Sequence, residues 1–426
     1  MEPKDTTSKV EEQGESKLIA SYNQLRNLKS DYFIQKIFEF MLERKSLETI
    51  RYNKSIQKRI NIDINYYKAY SETKTSIELD IIPKKDDYGG FINIKEEDKK
   101  YFHIYYDDNK KKEIENAYLD KDDKVSKISI IIDYQIKSFS KLFRYCACIE
   151  SIEFKKFYRN NVTNMSNMFD LCRSLIKLNL NNFNTNNVTD MSLMFNDCFS
   201  LKELNLNNFN TNSVTDMSGM FNNCSSLKEL NLNNFNTNNV TKMRWMFNGC
   251  SSLKELNLNN FNTNNVADMY WMFRGCSSLK ELNRNNFNTN NVTNMSWMFE
   301  GCSSLKELNL NNFNTNNVTN MMCMFEGCSS LKELNLNNFN TSNVTEMSSM
   351  FKGCSSLKEL NLKNFNTNNV SSMYWMFEGC SSLKELNLSN FNTNNVTNMK
   401  GMFKGCLDEL KLKIKSQFKN FKEDAF

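Results

Sequence analysis

The spacing of the cysteines constrains the fold of this 426-residue chain more than any other feature. Eleven of its thirteen cysteines lie on one progression with a step of 26 residues. The members of this progression are Cys146, Cys172, Cys198, Cys224, Cys250, Cys276, Cys302, Cys328, Cys354, Cys380 and Cys406. A fixed period of this length indicates a repeat array, in which stacked copies bury one continuous core.

The regularly spaced cysteines are predicted to be free, buried thiols. Side chains in one column of stacked copies point in parallel, whereas a disulfide needs Cβ vectors that converge. The copies also lack the CxxC pairs of structural zinc sites. Buried thiols behave as small hydrophobic groups, and they persist most safely in a reducing compartment.

Each copy is predicted to contain a short strand and a short helix. A typical copy begins at Leu305 and reads LKELNLNNFNTNNVTNMMCMFEGCSS. Its first six residues end in the period-2 alternation of a strand. The later residues Met321, Met324, Phe325 and Cys328 follow the i, i+3, i+4, i+7 spacing of a helix. One copy cannot bury its apolar face alone, so stacking must supply the core.

The LxxLxL strand motif, formed here by Leu305, Leu308 and Leu310, resembles the leucine-rich-repeat superfamily. More narrowly, the copies are similar to the 26-residue BspA-like repeat of bacterial and mycoplasmal surface proteins. The resemblance implies an α/β repeat solenoid, with a parallel β-sheet on one face and short helices on the opposite face. It also implies a binding role, because members of these families are mostly known or suspected binding proteins.

The remaining segments are predicted to flank this array as a small α+β module and two caps. Helical spacing dominates up to about residue 64, and strand-like runs such as SIELDIIP and KISIIIDY follow. The predicted segments are a disordered lead-in (1–17), a helical and then strand-rich module (18–127), a degenerate capping repeat (128–148), ten repeats (149–408), and a closing strand with a basic tail (409–426). The closing strand is predicted because LDELKLKIKSQF resembles LKELNL, the strand segment of a copy.

The segment IQKIFEFMLERKSLETIRYNKSIQKRI near the N-terminus is similar to the F-box pattern. The positions that match are Ile34, Ile37, Phe38, Leu47, Asn53 and Lys54. This resemblance implies that the first four of these residues bind the linker subunit of a ubiquitin ligase. An ordinary amphipathic helical bundle is the alternative interpretation of the same spacing.

The candidate partner-binding residues lie where the copies differ, just before the recurring Met-Phe pair. All four tryptophans of the chain occur there, three of them in consecutive copies. The candidates are Arg244, Trp245, Tyr270, Trp271, Trp297, Tyr374 and Trp375. These rings either form an exposed contact patch or lie flat over the copies and cover apolar neighbours.

Composition and motifs argue against an enzyme and against a cofactor or metal. The one histidine, His103, nearly excludes His-based triads and His-rich metal sites. Phosphate loops, dinucleotide fingerprints and nucleophile elbows are absent from the sequence. A formal charge of only +5 argues against a nucleic-acid partner.

The predicted function is therefore a non-enzymatic protein-interaction scaffold whose partner proteins the sequence does not identify. One alternative is an F-box-type adaptor for ubiquitin ligation. Another is a surface adhesin or glycan-binding solenoid, or an ice-binding one, that uses the column of Thr263, Thr289 and Thr315. The N-terminal residues show no apolar signal core, and no stretch reaches membrane-spanning length, so a cytoplasmic location is predicted.

Overall fold

The computed structural model describes residues 30, 54–59, 75–283 and 287–426. The chain divides into two units, Met1–Thr75 and Ser76–Phe426. Of the first unit, the structure describes Ser30, Thr75 and the short helix α1 (Lys54–Arg59). The predicted lead-in and most of the predicted helical segment lie outside the described residues.

The second unit begins with an antiparallel sheet, because its apolar residues alternate with polar ones. In β1 (Ile77–Pro83), the side chains of Ile77, Leu79 and Ile81 are buried, and the residues between them are partly exposed. The other strands of this part are β2 (Gly89–Gly90), β3 (Phe102–Tyr106), β4 (Tyr118–Leu119) and β5 (Ile128–Ile132). Strand β5 lies between β3 and β1, while β2 and β4 pair separately.

This sheet continues directly into the repeats. Strand β6 (Ile149–Lys156), which belongs to the first copy, pairs antiparallel with β1 on one side. On its other side it pairs in parallel with β7 (Lys177–Asn179) of the second copy. Strand β1 therefore covers an edge of the first copy that would otherwise expose unpaired backbone groups.

Successive copies stack in register with a step of 26 residues. Glu255 pairs with Glu281, and Glu359 pairs with Glu385, in parallel strands of three residues each. These strands are β8 (Glu255–Asn257), β9 (Glu281–Asn283), β10 (Glu359–Asn361) and β11 (Glu385–Asn387). Equivalent side chains consequently stack on one another, as Phe273 does on Phe299 with ring centroids 5.5 Å apart. The buried Leu, Phe, Val, Met and Cys columns form one core along the stack.

The predicted α/β solenoid with a helical face is wrong. In the described part of the copies, the segment expected to be helical is a run of tight turns. The described sheets are small, with two to five strands each. The helix α2 (Asp408–Gln417) follows the last copy and is not part of a repeat.

Hydrogen bonds between copies explain why the helices do not form. In an α-helix each N–H donates to the carbonyl four residues earlier. Here the Cys323 N–H donates to Ser348 O of the next copy at 2.9 Å, while Met324 N–H closes a short turn onto Met321 O at 3.2 Å. Cys323 and Gly327 have φ of 55° and 71°, which a right-handed helix cannot contain. The helix-like apolar spacing therefore arises from turns that bury the same residues.

The thiol column is buried, and its thiols donate hydrogen bonds. All thirteen cysteines lie among the described residues, and all are free and buried. The Cys302 thiol donates to Phe273 O of the preceding copy at 3.1 Å, and this contact recurs along the column. Burial raises the pKa of Cys276 and of Cys328 to about 12. These thiols therefore stay protonated at neutral pH and are poor nucleophiles.

We expect the protein to lose stability as the pH rises above about 8.5 in the presence of a reducing agent. An unfolded thiol ionises near its ordinary pKa of about 8.5, whereas a folded pKa of about 12 keeps the proton bound. The stabilisation from each such thiol is complete below pH 8.5, and it falls by about 1.4 kcal/mol per pH unit above it. Urea unfolding at pH 7.5 and pH 9.5 measures this loss.

The variant Cys276→Ala/Cys328→Ala is the matched control for that experiment. Its loss of unfolding free energy between the two pH values should be about 2–3 kcal/mol smaller than that of the wild type. Equal losses in the two proteins would show that these thiols do not carry the pH dependence.

The closing strand predicted over 409–426 is also wrong, because this segment begins with helix α2. The LxLxI pattern fits both a strand and the i, i+4 spacing of a helix. Leu410 and Ile414 are buried, but Leu412 is 68% exposed, which only the helical phase allows. Asp408 and Glu409 in the first turn, followed by Lys and Leu residues, favour the helix.

The residues after α2 fold back over the last copy. Gly401 N–H donates to Asp424 O at 2.6 Å, and Phe403 N–H donates to Ala425 O at 2.7 Å. In earlier copies the same two donors bond to the copy that follows, as Phe377 N–H does with a carbonyl 25 residues later. The final residues therefore replace the backbone acceptors of a further copy.

The two leucines of α2 give a direct test of its helical phase. Leu410→Lys should lower the free energy of unfolding by about 2–4 kcal/mol, because it places an unpaired ammonium in the core. Leu412→Lys should change it by less than about 0.5 kcal/mol, because this side chain is exposed. Thermal unfolding followed by circular dichroism compares them, and equal destabilisation would support a strand instead.

Candidate functional site

The four tryptophans occupy one backbone position that recurs in every copy with a positive φ. Their φ angles are 62°, 59°, 54° and 56° for Trp245, Trp271, Trp297 and Trp375. We call this position, at 26-residue steps from Asn167 to Gly401, the left-handed column. Its other members are Asn167, Leu193, Gly219, Cys323, Ser349 and Gly401. A bulky side chain in this conformation costs about 1–2 kcal/mol.

A side chain in the left-handed column leans over the copy that follows. A Cβ atom added at Gly401 would lie 2.7 Å from Cδ1 of Trp375 in the preceding copy. A Cβ atom added at Gly219 would lie 2.5 Å from Cδ2 of Leu193. The indole rings are therefore carried across the outside of the turns, where they are half-buried.

Trp245, Tyr270, Trp271 and Trp297 form one continuous surface, which we call the aromatic stripe. Tyr270 stacks on Trp271, with ring centroids 4.8 Å apart and planes 18° apart. The Trp245 and Trp297 rings lie on either side of Trp271, at centroid distances of 6.2 Å and 6.0 Å. With Arg244, which lies over the Trp245 ring, the structure therefore brings together five of the seven candidate partner-binding residues across three successive copies.

Tyr374 and Trp375 form a separate pair. Their rings stack with centroids 4.1 Å apart. Cys323 and Ser349 occupy the left-handed column between this pair and the aromatic stripe. The seven candidates thus form two groups rather than one surface.

Cations flank the rings of both groups. Arg244 lies over the Trp245 ring at 5.1 Å, and Arg274 lies over the Trp271 ring at 4.6 Å. Lys352 lies over the Trp375 ring at 4.5 Å. Such contacts stabilise a cation beside an aromatic face by about 0.5–2 kcal/mol. Of these three cations, sequence reasoning identified only Arg244.

The cations that were missed belong to a polar column three residues beyond each member of the left-handed column. Some neighbouring copies carry opposite charges there, so Lys352 pairs with Glu326 at 3.0 Å and Lys404 pairs with Glu378 at 2.9 Å. Arg274 likewise donates to the Glu300 carboxylate. The available signal was that residues of opposite charge stand 26 positions apart, as Glu326 and Lys352 do. Because these pairs are partly exposed, each contributes at most about 1 kcal/mol.

Two of the indole N–H groups are left without hydrogen bonds. The Nε1 atoms of Trp245 and Trp271 are buried and have no acceptor within the described structure. An unpaired buried donor costs about 1–3 kcal/mol. Together with the positive φ, this cost makes tryptophan a locally unfavourable residue at these two positions.

The threonines proposed to contact a glycan or ice are inaccessible. Thr263, Thr289 and Thr315 are 0–1% exposed. Thr263 Oγ1 donates to Asn288 O at 2.7 Å and accepts from Asn288 N–H at 2.8 Å. Ligand binding through these threonines is therefore wrong, because the column instead links each copy to the next.

The strand face of the stack is polar and open. Exposed Glu, Lys and Asn side chains recur on it with each copy, as at Lys254, Glu255 and Asn257. Its concave regions are shallow, and one of them lies between β10, β11 and α2 beside Lys413 and Phe418.

The candidate adaptor-binding residues of the F-box-like segment, namely Ile34, Ile37, Phe38 and Leu47, lie outside the described residues.

Replacing a buried threonine should destabilise the stack, whereas replacing an exposed one should not. Thr263→Val leaves the Asn288 N–H and C=O groups without their partner and should cost about 1–3 kcal/mol. Thr293→Val removes an exposed hydroxyl contact of 3.3 Å and should cost less than about 0.5 kcal/mol. Urea unfolding measures both, and equal effects would argue against the internal role of the threonine column.

Comparisons with known proteins identify the family of this chain, but they do not identify a ligand. A family model described as "Mycoplasma protein of unknown function, DUF285" matches residues 137–256, 224–333 and 329–418. No curated protein matches the chain significantly. One solved structure, titled "Crystal structure of TLR13-ssRNA13 complex", is 17% identical with a TM-score of 0.26. The match covers 55% of this chain and 40% of that one. In the described residues, the structure contains no helix that is long and apolar enough to cross a membrane.

Proposed function

Since the chain belongs to the DUF285 family of mycoplasma proteins, we propose that it is a non-enzymatic scaffold that binds another protein through its aromatic stripe. The finer resemblance to the leucine-rich-repeat superfamily forms part of this proposal, because it too implies a binding role. The buried free thiols favour a reducing compartment, so a cytoplasmic location stays a prediction.

One observation carries the proposal: the fold accepts small residues at the position that the tryptophans occupy. Gly219, Cys323 and Ser349 lie in the left-handed column with nearly the same φ as Trp245 and Trp271. The copies that carry them stack with the same hydrogen bonds, as Cys323 N–H and Ser349 N–H each donate to the next copy. The half-buried indole rings are therefore unnecessary for stacking, and binding of a partner is the reason to keep them.

The composition of the aromatic stripe fits a protein partner. Tryptophan, tyrosine and arginine are the residues most enriched among those that dominate protein–protein binding energy. The stripe places three tryptophans, one tyrosine and Arg244 on an open surface rather than in an enclosed pocket. An open aromatic surface bordered by charges is typical of an interface with a macromolecule.

The test uses the full chain with Trp245→Ser, Trp271→Ser and Trp297→Ser combined. Serine is chosen because Ser349 already occupies the left-handed column in the native stack. Tagged wild type and variant are incubated with an extract of the source cells, and the bound proteins are quantified by mass spectrometry. Proteins that bind the wild type specifically should be captured at least tenfold less by the triple variant.

Trp375→Ser is the matched control, because it makes the same substitution outside the aromatic stripe. It should capture the same proteins as the wild type. Circular dichroism and gel filtration establish that all three proteins are folded. Retention of every specific partner by the triple variant would refute the proposed function.

A further inference from the structure

We propose that the aromatic stripe binds an extended acidic peptide segment, with alternate apolar side chains on successive tryptophans and a carboxylate on Arg244. This inference rests on the proposed function, because it specifies the partner of the same surface. The peptide runs along the stack, across the copies that carry Trp245, Trp271 and Trp297.

The spacing of the rings favours an extended peptide over a helix. The two steps along the stripe are nearly equal, at 6.2 Å from Trp245 to Trp271 and 6.0 Å from Trp271 to Trp297. In an extended chain, side chains on one face recur every second residue, at equal steps of about 6.6 Å. On a helix they recur after three and then four residues, at unequal steps of about 4.5 Å and 6 Å.

The stripe is held rigidly before any ligand binds. Trp271 is fixed by stacking on Tyr270, by edge contact with Trp297 and by the Arg274 guanidinium over its ring. The backbone N–H of Trp271 donates to Ser296 O of the next copy at 3.2 Å. Rings that are already ordered lose little conformational entropy on binding, which favours a short segment as the ligand.

Arg244 supplies the charge that selects an acidic ligand. Its side chain is exposed, and within the described structure it forms no ion pair, whereas Arg274 is paired with Glu300. In the adjoining turn column Lys242 pairs with Asp216 at 3.2 Å. Asp268, the next member of that column, accepts a hydrogen bond from the backbone N–H of Tyr270 at 2.9 Å. At one end of the stripe, Arg244 thus contacts the Trp245 ring but no carboxylate among the described residues, which leaves its charge for a ligand.

Single-stranded nucleic acid is the other anionic ligand that could stack on the rings. The carboxylates of Glu300, Glu326 and Glu378 border the two groups and would repel a phosphate backbone. A peptide carries charges only at chosen positions, so it can place one carboxylate on Arg244 and avoid the glutamates.

Selection from a phage library of random twelve-residue peptides tests the inference. The library is panned on the full-length wild type after depletion on the triple Trp→Ser variant. Enriched peptides should carry apolar residues at every second position and an Asp or Glu at one end. Binding of a labelled selected peptide to Arg244→Gln should be about five- to tenfold weaker than to the wild type. The same peptide with its carboxylate replaced by an amide should bind both proteins equally.

Three results would overturn the inference. The first is that no peptide is enriched, or that the enriched pattern has helical spacing. The second is that Arg244→Gln binds the acidic peptide as tightly as the wild type does. The third is that a fifteen-residue oligouridine displaces the peptide at lower concentration than the unlabelled peptide does. If the tryptophan-dependent capture of a protein persists after any of these results, the inference fails while the proposed function stands.

Discussion

Hydrogen bonds between successive copies, which recur with the 26-residue period, are the interaction on which the rest of the structure depends. Phe299 N–H donates to Met324 O at 2.9 Å, so each turn is completed by the copy that follows. The same register brings Asn314 Nδ2 within 2.7 Å of Asn290 Oδ1. It also places the Cys302 thiol on a phenylalanine carbonyl. Once the backbone register is set, stacked rings, thiol contacts and Asn ladders follow, because identical residues recur every 26 positions.

This dependence explains how much of the fold could be predicted from the sequence. The period and the core columns could be predicted, because a repeated residue must occupy a repeated environment. The conformation inside a copy could not, because the spacing of Met321, Met324 and Phe325 fits both a helix and a run of turns. The positive φ of Cys323 and its bond to the next copy decide between the two, and neither appears in a single copy's pattern. After the last copy, the spacing of Leu410, Leu412 and Ile414 likewise fits both a strand and a helix, and only the exposure of Leu412 decides between them.

The candidate site shows a similar division. The tryptophans could be identified because the residue at their position differs from copy to copy, whereas the residues of the core columns hardly change. The pairing of Arg274 with Glu300 was missed, because it requires knowing that residues three positions beyond the tryptophans face outward beside one another. The alternative hypothesis of glycan or ice binding required the threonine column to be accessible to a ligand. The hydroxyls of this column instead satisfy backbone groups that stacking would otherwise leave unpaired.

The left-handed column has a further consequence for how such a surface can change. Asn, Leu, Gly, Trp, Cys and Ser occupy it in different copies of one chain, while the core beneath them stays the same. Copies that differ mainly in their turn residues can therefore exchange places, or be gained and lost by recombination, without repacking the interior. Such an event moves an aromatic ring by one step along the stack. Shuffling of gene segments can thus rearrange the outer surface of the turns while the buried core is inherited unchanged.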